Sequence, residues 1–81
     1  MNVVAVVGLG YVGLPLIIEF ALKGFPTVGF EVDEKKVAAL NEGSSHIVDV
    51  SSENVQKAIA AGKFTATTDF SKLKSEAQPT H

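Results

Sequence analysis

Residues 3–16 read VVAVVGLGYVGLPL, and this stretch decides the fold. A run of small apolar residues, Val3 to Val7, leads directly into glycines at positions 8, 10 and 13. A continuous, β-branched run of this kind is typical of a strand buried on both faces of a parallel sheet. Inside a strand or a helix, glycine costs about 0.5–1 kcal/mol relative to alanine. Three glycines at the junction of two such elements therefore indicate a special backbone requirement there.

The segment after the glycines predicts a helix from Val12 to Lys23. It is rich in good helix formers, and Gly24 stands where a left-handed residue commonly ends a helix, with Pro26 two positions on. Pro15 is compatible with this helix only in its first turn, which places the helix start near Val12.

The remaining sequence predicts two further strands and further helices. The strands are residues 27–31 and residues 63–68, the second with Phe64, Ala66 and Thr68 on one face. The helices are residues 34–42 capped by Asp33 and ended by Gly43, residues 53–61 capped by Ser51 or Ser52 and ended by Gly62, and a short helix starting at Asp69 or Ser71. This alternation predicts an α/β, Rossmann-like half domain with three parallel strands in the order 3-2-1 and flanking helices. We expect residues 1–77 to form this domain and residues 78–81 to form a loose tail.

The glycine spacing is G-x-G-x-x-G, which between a strand and a helix predicts a dinucleotide-binding turn. Gly8 permits the tight turn, Gly10 leaves room for a pyrophosphate against the backbone, and Gly13 lets the helix pack closely on the strand. The free N–H groups and the positive end of the helix dipole then face the phosphates. The same glycines would also suit a tight packing joint that binds nothing.

An acidic residue at the end of the second predicted strand strengthens the dinucleotide interpretation. Glu31 lies 18 positions after Gly13, close to the expected offset of about 20. A carboxylate there can accept both ribose hydroxyls of adenosine and repels a 2′-phosphate, so NAD is favoured over NADP. Lys35 and Lys36 lie nearby and soften that preference. Glu31 also reads as a plain solvated acid at a strand end, and Asp33 reads more readily as a helix cap than as a ligand contact, although it can be both.

The composition argues against several classes of function. The net charge is −2, from 7 basic and 9 acidic residues, which gives no electrostatic footprint for nucleic acid or an anionic membrane. The sequence has no cysteine, so it offers neither a disulfide nor a thiol nucleophile. His46 and His81 stand alone without metal-ligand spacing, so we expect them on the surface and expect no metal site. The beginning of the chain, MNVVAVVGLG, does not read as a signal peptide, and we expect a soluble, cytoplasmic protein.

Residues 6–43, VVGLGYVGLPLIIEFALKGFPTVGFEVDEKKVAALNEG, resemble the NAD-binding domain of the nucleotide-sugar 6-dehydrogenases. The block GLGYVGLPL is more specific to that family than the glycine spacing, and residues 44–74 look most like the branch that acts on UDP-N-acetyl-hexosamines. The resemblance implies an enzyme that oxidises a sugar C6 alcohol to a carboxylate in two NAD-dependent hydride transfers.

The resemblance also implies which residues contact NAD. Gly8, Gly10, Tyr11, Val12 and Gly13 match the phosphate-binding turn of the family. From the residues alone, Tyr11 either covers the cofactor or only packs at the helix start.

Three positions beyond the turn match the family as well. Glu31 matches the acid that binds the ribose in the family, where aspartate is usual. Lys36 matches a position at which a basic residue approaches the adenosine ribose, and Thr68 matches a position near the cofactor. The catalytic residues of the family lie downstream of this region, so none is assigned here.

The family resemblance further implies a fourth apolar strand after Ala77, where this sequence reads QPTH. We therefore expect a truncated cofactor domain, an exposed edge on the first strand and a helix in need of cover, which together favour self-association as a homodimer or a higher oligomer. Two alternatives stay open: a nucleotide-binding module without catalysis, and a structural fragment that self-associates.

Overall fold

Short apolar segments punctuated by glycine, proline and capping residues give a βαβ-type chain. The computed structural model describes residues 3–73. The elements are β1 (Val4–Val7), α1 (Gly13–Leu22), β2 (Thr27–Phe30), α2 (Glu34–Asn41), α3 (Ser52–Ala60), β3 (Phe64–Thr67) and a 3₁₀ turn (Phe70–Lys72). The predicted domain boundary at residue 77, the tail at residues 78–81 and His81 lie outside the described residues.

The three strands form one parallel sheet in the order β1-β2-β3, with β2 in the centre. This confirms the predicted order 3-2-1, read from the opposite edge. Val4 pairs with Thr27, and Thr27 pairs with Phe64, so all three strands begin in register. The carboxyl ends of all three strands therefore lie at the same end of the sheet, and ligands of such folds bind outside these carboxyl ends.

All three helices contribute to one core on one face of the sheet. Helix α1 packs on β1 and β2, α2 packs on β3, and α3 packs on α1 and β3. Gly29, Phe64 and Ala66 face this layer, and the side chain of Leu9 fills the space above Gly29. The buried residues of the core are Leu9, Leu14, Ile17, Ile18, Ala21, Leu40, Ile47, Val50, Val55, Ala58, Phe64 and Ala66.

The opposite face of the sheet is covered unevenly. Phe30 is fully buried there, with the ring of Phe70 at 5.6 Å between centroids. Val7, at the end of β1, is 60% exposed. The prediction that the first strand is buried on both faces is therefore wrong, because β1 lies at the edge of the sheet and has helix cover on one side only among the described residues.

The two edges of the sheet differ in their hydrogen bonding. At the outer edge of β3, the side-chain amide of Asn41 donates to the carbonyl of Ala66 and accepts from its N–H, both at 2.9 Å. At the other edge, Val4 and Gly8 donate towards β2, so the alternating backbone groups of Ala5 and Val7 face outward. No partner for these groups occurs within residues 3–73, which confirms the predicted open edge.

The ends of the helices follow the predicted capping residues. Asp33 accepts from the N–H groups of Lys35 and Lys36, and Ser51, rather than Ser52, caps α3 by accepting from Asn54. Helix α1 begins at Gly13, one residue after the predicted start. Within residues 3–73, no helix has both the length and the apolar character that crossing a membrane requires.

Candidate functional site

Residues 8–13, which we call the glycine turn, lead from the end of β1 into the first residue of α1 at the carboxyl ends of the strands. Gly8 leaves the strand with a φ of +88°, a left-handed conformation that favours glycine, while its N–H still donates to the carbonyl of Phe30 at 2.7 Å. A Cβ on Gly13 would lie 1.8 Å from the carbonyl oxygen of Gly8. Only glycine at position 13 allows the start of α1 to pack this closely on the end of β1.

The backbone of Leu9 is held on both sides by groups from distant segments. Its N–H donates to Oε1 of Glu31 at 3.0 Å, and its carbonyl oxygen lies 2.7 Å from Nε2 of His46. Its side chain is fully buried against Gly29, where any Cβ would meet the Leu9 methyl groups at 2.7–2.8 Å. The next carbonyl, that of Gly10, accepts from the N–H of Leu14. The turn is therefore rigid before any ligand binds.

With these carbonyls engaged, the backbone donors of the turn remain free. Among the hydrogen bonds of residues 3–73, none has the backbone N–H of residues 10, 11, 12 or 13 as its donor. A Cβ on Gly10 would meet no atom within 4 Å, so open space lies beside this backbone. Consecutive free N–H groups at a helix start are a binding site for an anion, and a pyrophosphate fits this description.

Helix α1 differs from α2 and α3 in how its first turn is satisfied. The other two helices have side-chain caps and an acid in the first turn, Glu34 and Glu53. Val12, at the N-cap of α1, makes no side-chain cap bond, and the first turn of α1 has no acidic residue. The positive end of α1 therefore has no side-chain cap and no acidic side chain from its own first turn, which favours an anion there.

Glu31 directly follows β2, and its carboxylate lies between the turn and α2. Oε1 accepts from Leu9, and Oε2 accepts from the N–H of Asp33 at 3.1 Å. The hydrogen bond from Leu9, followed by that from Asp33, lowers the pKa of Glu31 below its ordinary value; the Lys36 charge lowers it further, and partial burial opposes them. The carboxylate is therefore anionic at neutral pH, and two of its about four lone-pair directions remain available to a ligand.

The other predicted contact residues lie at different distances along the sheet from the glycine turn and from Glu31. Tyr11 and Val12 are 79% and 81% exposed at the front of the turn. Asp33 uses Oδ1 to cap α2. Thr68 lies just past the end of β3, exposed and two strands away from the turn, so it is the most distant of the set in the sheet. The prediction that Thr68 shares the buried face of the third strand is wrong, because the strand ends at Thr67.

Sequence reasoning missed His46. The expectation of an isolated surface histidine is wrong, because the ring is half-buried and bonded to Leu9. Its distance of 37 positions from Leu9 gave no local signal of this contact. A cleft of about 360 Å³ lies away from the glycine turn. It is lined by residues of α1 and α3 and by the segment before α3, and it includes no residue of the turn.

A parallel sheet with this turn and an acid at the end of the second strand defines a dinucleotide-binding domain of the Rossmann type. The sequence model of the UDP-glucose/GDP-mannose dehydrogenase family, NAD binding domain, matches residues 1–79. The chain belongs to this family, whose domain binds NAD.

Individual relatives agree with the family assignment. UDP-N-acetyl-D-mannosamine dehydrogenase of Pyrococcus horikoshii is 33% identical over 72 residues, covering 88% of this chain and 17% of that protein. UDP-N-acetyl-D-glucosamine 6-dehydrogenase of Salmonella typhi is 38% identical over 72 residues, covering 88% and 16%. The GDP-mannose dehydrogenase of Pseudomonas aeruginosa, solved as a ternary complex, superposes with a TM-score of 0.86 at 29% identity, covering 95% of this chain and 18% of that one. The chain thus spans about a sixth of the length of these relatives.

Two glycines of the turn separate folding from binding. We expect Gly13→Ala to lose at least about 3 kcal/mol of unfolding free energy or to fail to fold, because its Cβ would overlap the Gly8 carbonyl. Gly10→Ala is the matched control, and we expect its unfolding free energy to stay within about 0.5 kcal/mol of the original, since its Cβ meets nothing. Urea unfolding followed by circular dichroism measures both. Equal stability of the two variants would contradict the close approach of α1 to β1.

The lowered pKa of Glu31 makes a sign-specific prediction for acid stability. Because the carboxylate is bonded in the native state, its contribution to stability is present above the ordinary value of 4.5 and is lost as the pH falls through the lower native pKa. In Glu31→Gln, one of the two N–H donors loses its acceptor, which costs about 1 kcal/mol near neutral pH and less in acid.

The measurement is urea unfolding at a series of pH values from 7 down to 3. Glu53→Gln serves as the control, because it removes the same charge from an exposed ion pair with Lys57 at 3.8 Å. We expect the control to keep the acid loss of stability and Glu31→Gln to show a shallower one. An unchanged acid slope in Glu31→Gln would refute the role given to these hydrogen bonds.

Proposed function

We propose that this chain is the NAD-binding portion of a nucleotide-sugar 6-dehydrogenase. The observation that carries the proposal is the run of unbonded N–H groups at the uncapped start of α1, with the Glu31 carboxylate one strand away. The first feature suits the pyrophosphate and the second suits the adenosine ribose. The family match supports NAD as the dinucleotide.

Each predicted residue takes a role in this proposal. The N–H groups of Gly10, Tyr11, Val12 and Gly13 hold the pyrophosphate, with Gly8 shaping the turn. Glu31 accepts the ribose hydroxyls and disfavours the 2′-phosphate of NADP. Lys36 approaches the ribose from α2, the backbone of Asp33 fixes the Glu31 carboxylate, and Thr68 borders the cofactor at the end of β3.

The reaction of the whole enzyme follows from the family and is proposed on that basis. A UDP-sugar C6 alcohol, two NAD⁺ and one water give the carboxylate, two NADH and three protons. NAD supplies the hydride acceptor, and this chain supplies its binding and orientation. The sequence has no cysteine, so a thiol nucleophile for this reaction would belong to residues outside these 81. We place the activity in the cytoplasm, where NAD is available to it.

A titration tests the half-site character of this chain. We expect weak NADH binding, read by nicotinamide fluorescence, and ADP to compete as well as NAD does, because the described residues address the adenosine and pyrophosphate half only. Gly10→Ala should bind neither, since its methyl group occupies the open space beside the turn. Failure of the original chain to bind ADP at millimolar concentration would refute the proposal.

Selectivity between the two dinucleotides is tested at Glu31. We expect Glu31→Gln to weaken NADH binding by about tenfold, equivalent to 1.4 kcal/mol, and to reduce the preference over NADPH. Glu34→Gln is the matched control, because Glu34 is exposed in the first turn of α2 and should leave both affinities unchanged.

We also propose that two copies of this chain associate through β1. The supporting observation is a difference between the sheet edges: on β3 the side chain of Asn41 engages both outward backbone groups of Ala66, while no side chain within residues 3–73 engages the outward backbone groups of Ala5 and Val7 on β1. Val7 adds an exposed apolar side chain. Helix α1 adds an apolar stripe at four-residue spacing, Val12, Leu16 and Phe20, of which the first two are exposed.

Sedimentation velocity at micromolar to millimolar concentration measures this association. We expect Val7→Lys to shift the protein towards monomer, because a lysine at the end of β1 opposes pairing of this edge. Val48→Lys is the matched control: Val48 is 96% exposed in the segment between α2 and α3, and the same substitution there should leave the distribution unchanged. A monomer at all concentrations before any substitution would refute the dimer.

A further inference from the structure

Within residues 3–73, the side chain of His46 makes one hydrogen bond, and that bond is to the glycine turn. Its Nε2 lies 2.7 Å from the carbonyl oxygen of Leu9. A carbonyl can only accept, so Nε2 must carry the proton. The other ring nitrogen, Nδ1, is buried and has no hydrogen-bond partner within residues 3–73. The contact with the turn therefore selects the tautomer with its proton on Nε2.

This bond sets the direction of the first free donor of the turn. The described peptide bonds are all trans, so the carbonyl of Leu9 and the N–H of Gly10 point to opposite sides of the peptide that they share. When His46 holds the carbonyl on its own side, the N–H of Gly10 points away from the ring. That N–H is one of the four N–H groups of residues 10–13 that have no acceptor within residues 3–73.

The segment around His46 is itself held in place. The hydroxyl of Ser45 donates to the carbonyl of Ile47 and accepts from the N–H of Ile47, at 2.9 and 3.1 Å. The N–H of Ser45 donates to the hydroxyl of Ser52 at the start of α3, and Ile47 is buried in the core. The imidazole is thus presented to the turn from a rigid support, as residues that orient a binding site commonly are.

Resting on the proposed function, we infer that His46 is a positioning residue for pyrophosphate binding. Its bond is to the carbonyl of Leu9, so it acts through Leu9 by fixing the orientation of the Leu9–Gly10 peptide. Glu31 fixes the preceding peptide through the N–H of Leu9. One side chain from beyond α2 and one from the end of β2 therefore hold the two peptides on either side of Leu9.

The experiment compares His46→Gln with His46→Phe. Glutamine keeps a nitrogen donor at nearly the reach of Nε2, whereas phenylalanine keeps the ring shape without a donor. Binding of ADP and of adenosine is followed by amide NMR shifts. We expect His46→Phe to weaken ADP binding about tenfold, His46→Gln to recover most of that loss, and adenosine binding to stay unchanged in both, because adenosine lacks the phosphates that the turn holds.

Two spectroscopic signatures test the contact without any ligand. The imidazole ¹⁵N shifts of the original chain should report a proton on Nε2 and none on Nδ1. The backbone amide signal of Gly10 should move in His46→Phe and return towards its original position in His46→Gln. These readouts remain informative if His46→Phe folds poorly, because the first needs no variant and the second can be read in His46→Gln.

The outcomes separate this inference from the proposed function. If the original chain does not bind ADP, the proposed function fails, and the inference fails with it. If the original chain binds ADP and His46→Phe binds it equally well, only the inference fails. Equal losses of ADP and adenosine binding would show a role in stability alone and would also overturn the inference, as would a proton found on Nδ1 instead of Nε2.

Discussion

The structure depends on the close approach of Gly13, the first residue of α1, to Gly8, the residue that follows β1. A Cβ on Gly13 would reach within 1.8 Å of the Gly8 carbonyl oxygen, so α1 can sit this close to the sheet only without a side chain there. That proximity brings the start of the helix to the carboxyl edge of the sheet. The N–H groups of residues 10–13 there have no capping side chain and no other acceptor within residues 3–73.

The side chains of Glu31 and His46 are coupled through a single residue, Leu9. The side chain of Leu9 is buried, its N–H donates to the carboxylate of Glu31, and its carbonyl accepts from Nε2 of His46. The carboxylate proposed to bind the ribose thus also holds the turn that is proposed to bind the phosphates. A substitution at Glu31 therefore changes both the shape of the turn and the chemistry of the ribose site, which is why a matched charge control is needed to interpret it.

Much of the fold was predictable because its signals are local. The apolar run before Gly8, the caps Asp33 and Ser51, and the G-x-G-x-x-G spacing each follow from the conformational needs of neighbouring residues. The His46 contact was not predictable in this way, because it joins positions 37 apart and depends on how the segment between α2 and α3 folds back over the turn. The exposure of Val7 was only partly foreseen, since an apolar strand sequence does not state which of its sides will be covered.

The two hydrogen bonds between the side chain of Asn41 and the backbone of Ala66 limit where a further strand can pair with this sheet. With both backbone groups of Ala66 already engaged at that margin, an added strand would first have to displace the amide. An added strand would therefore pair more readily beside β1, where no side chain within residues 3–73 has to be displaced first. If two copies paired there, each would cover the β1 edge that is unpaired within residues 3–73 of the other, and the result would be a closed six-stranded sheet, twice the three strands of one copy, and not a fibre.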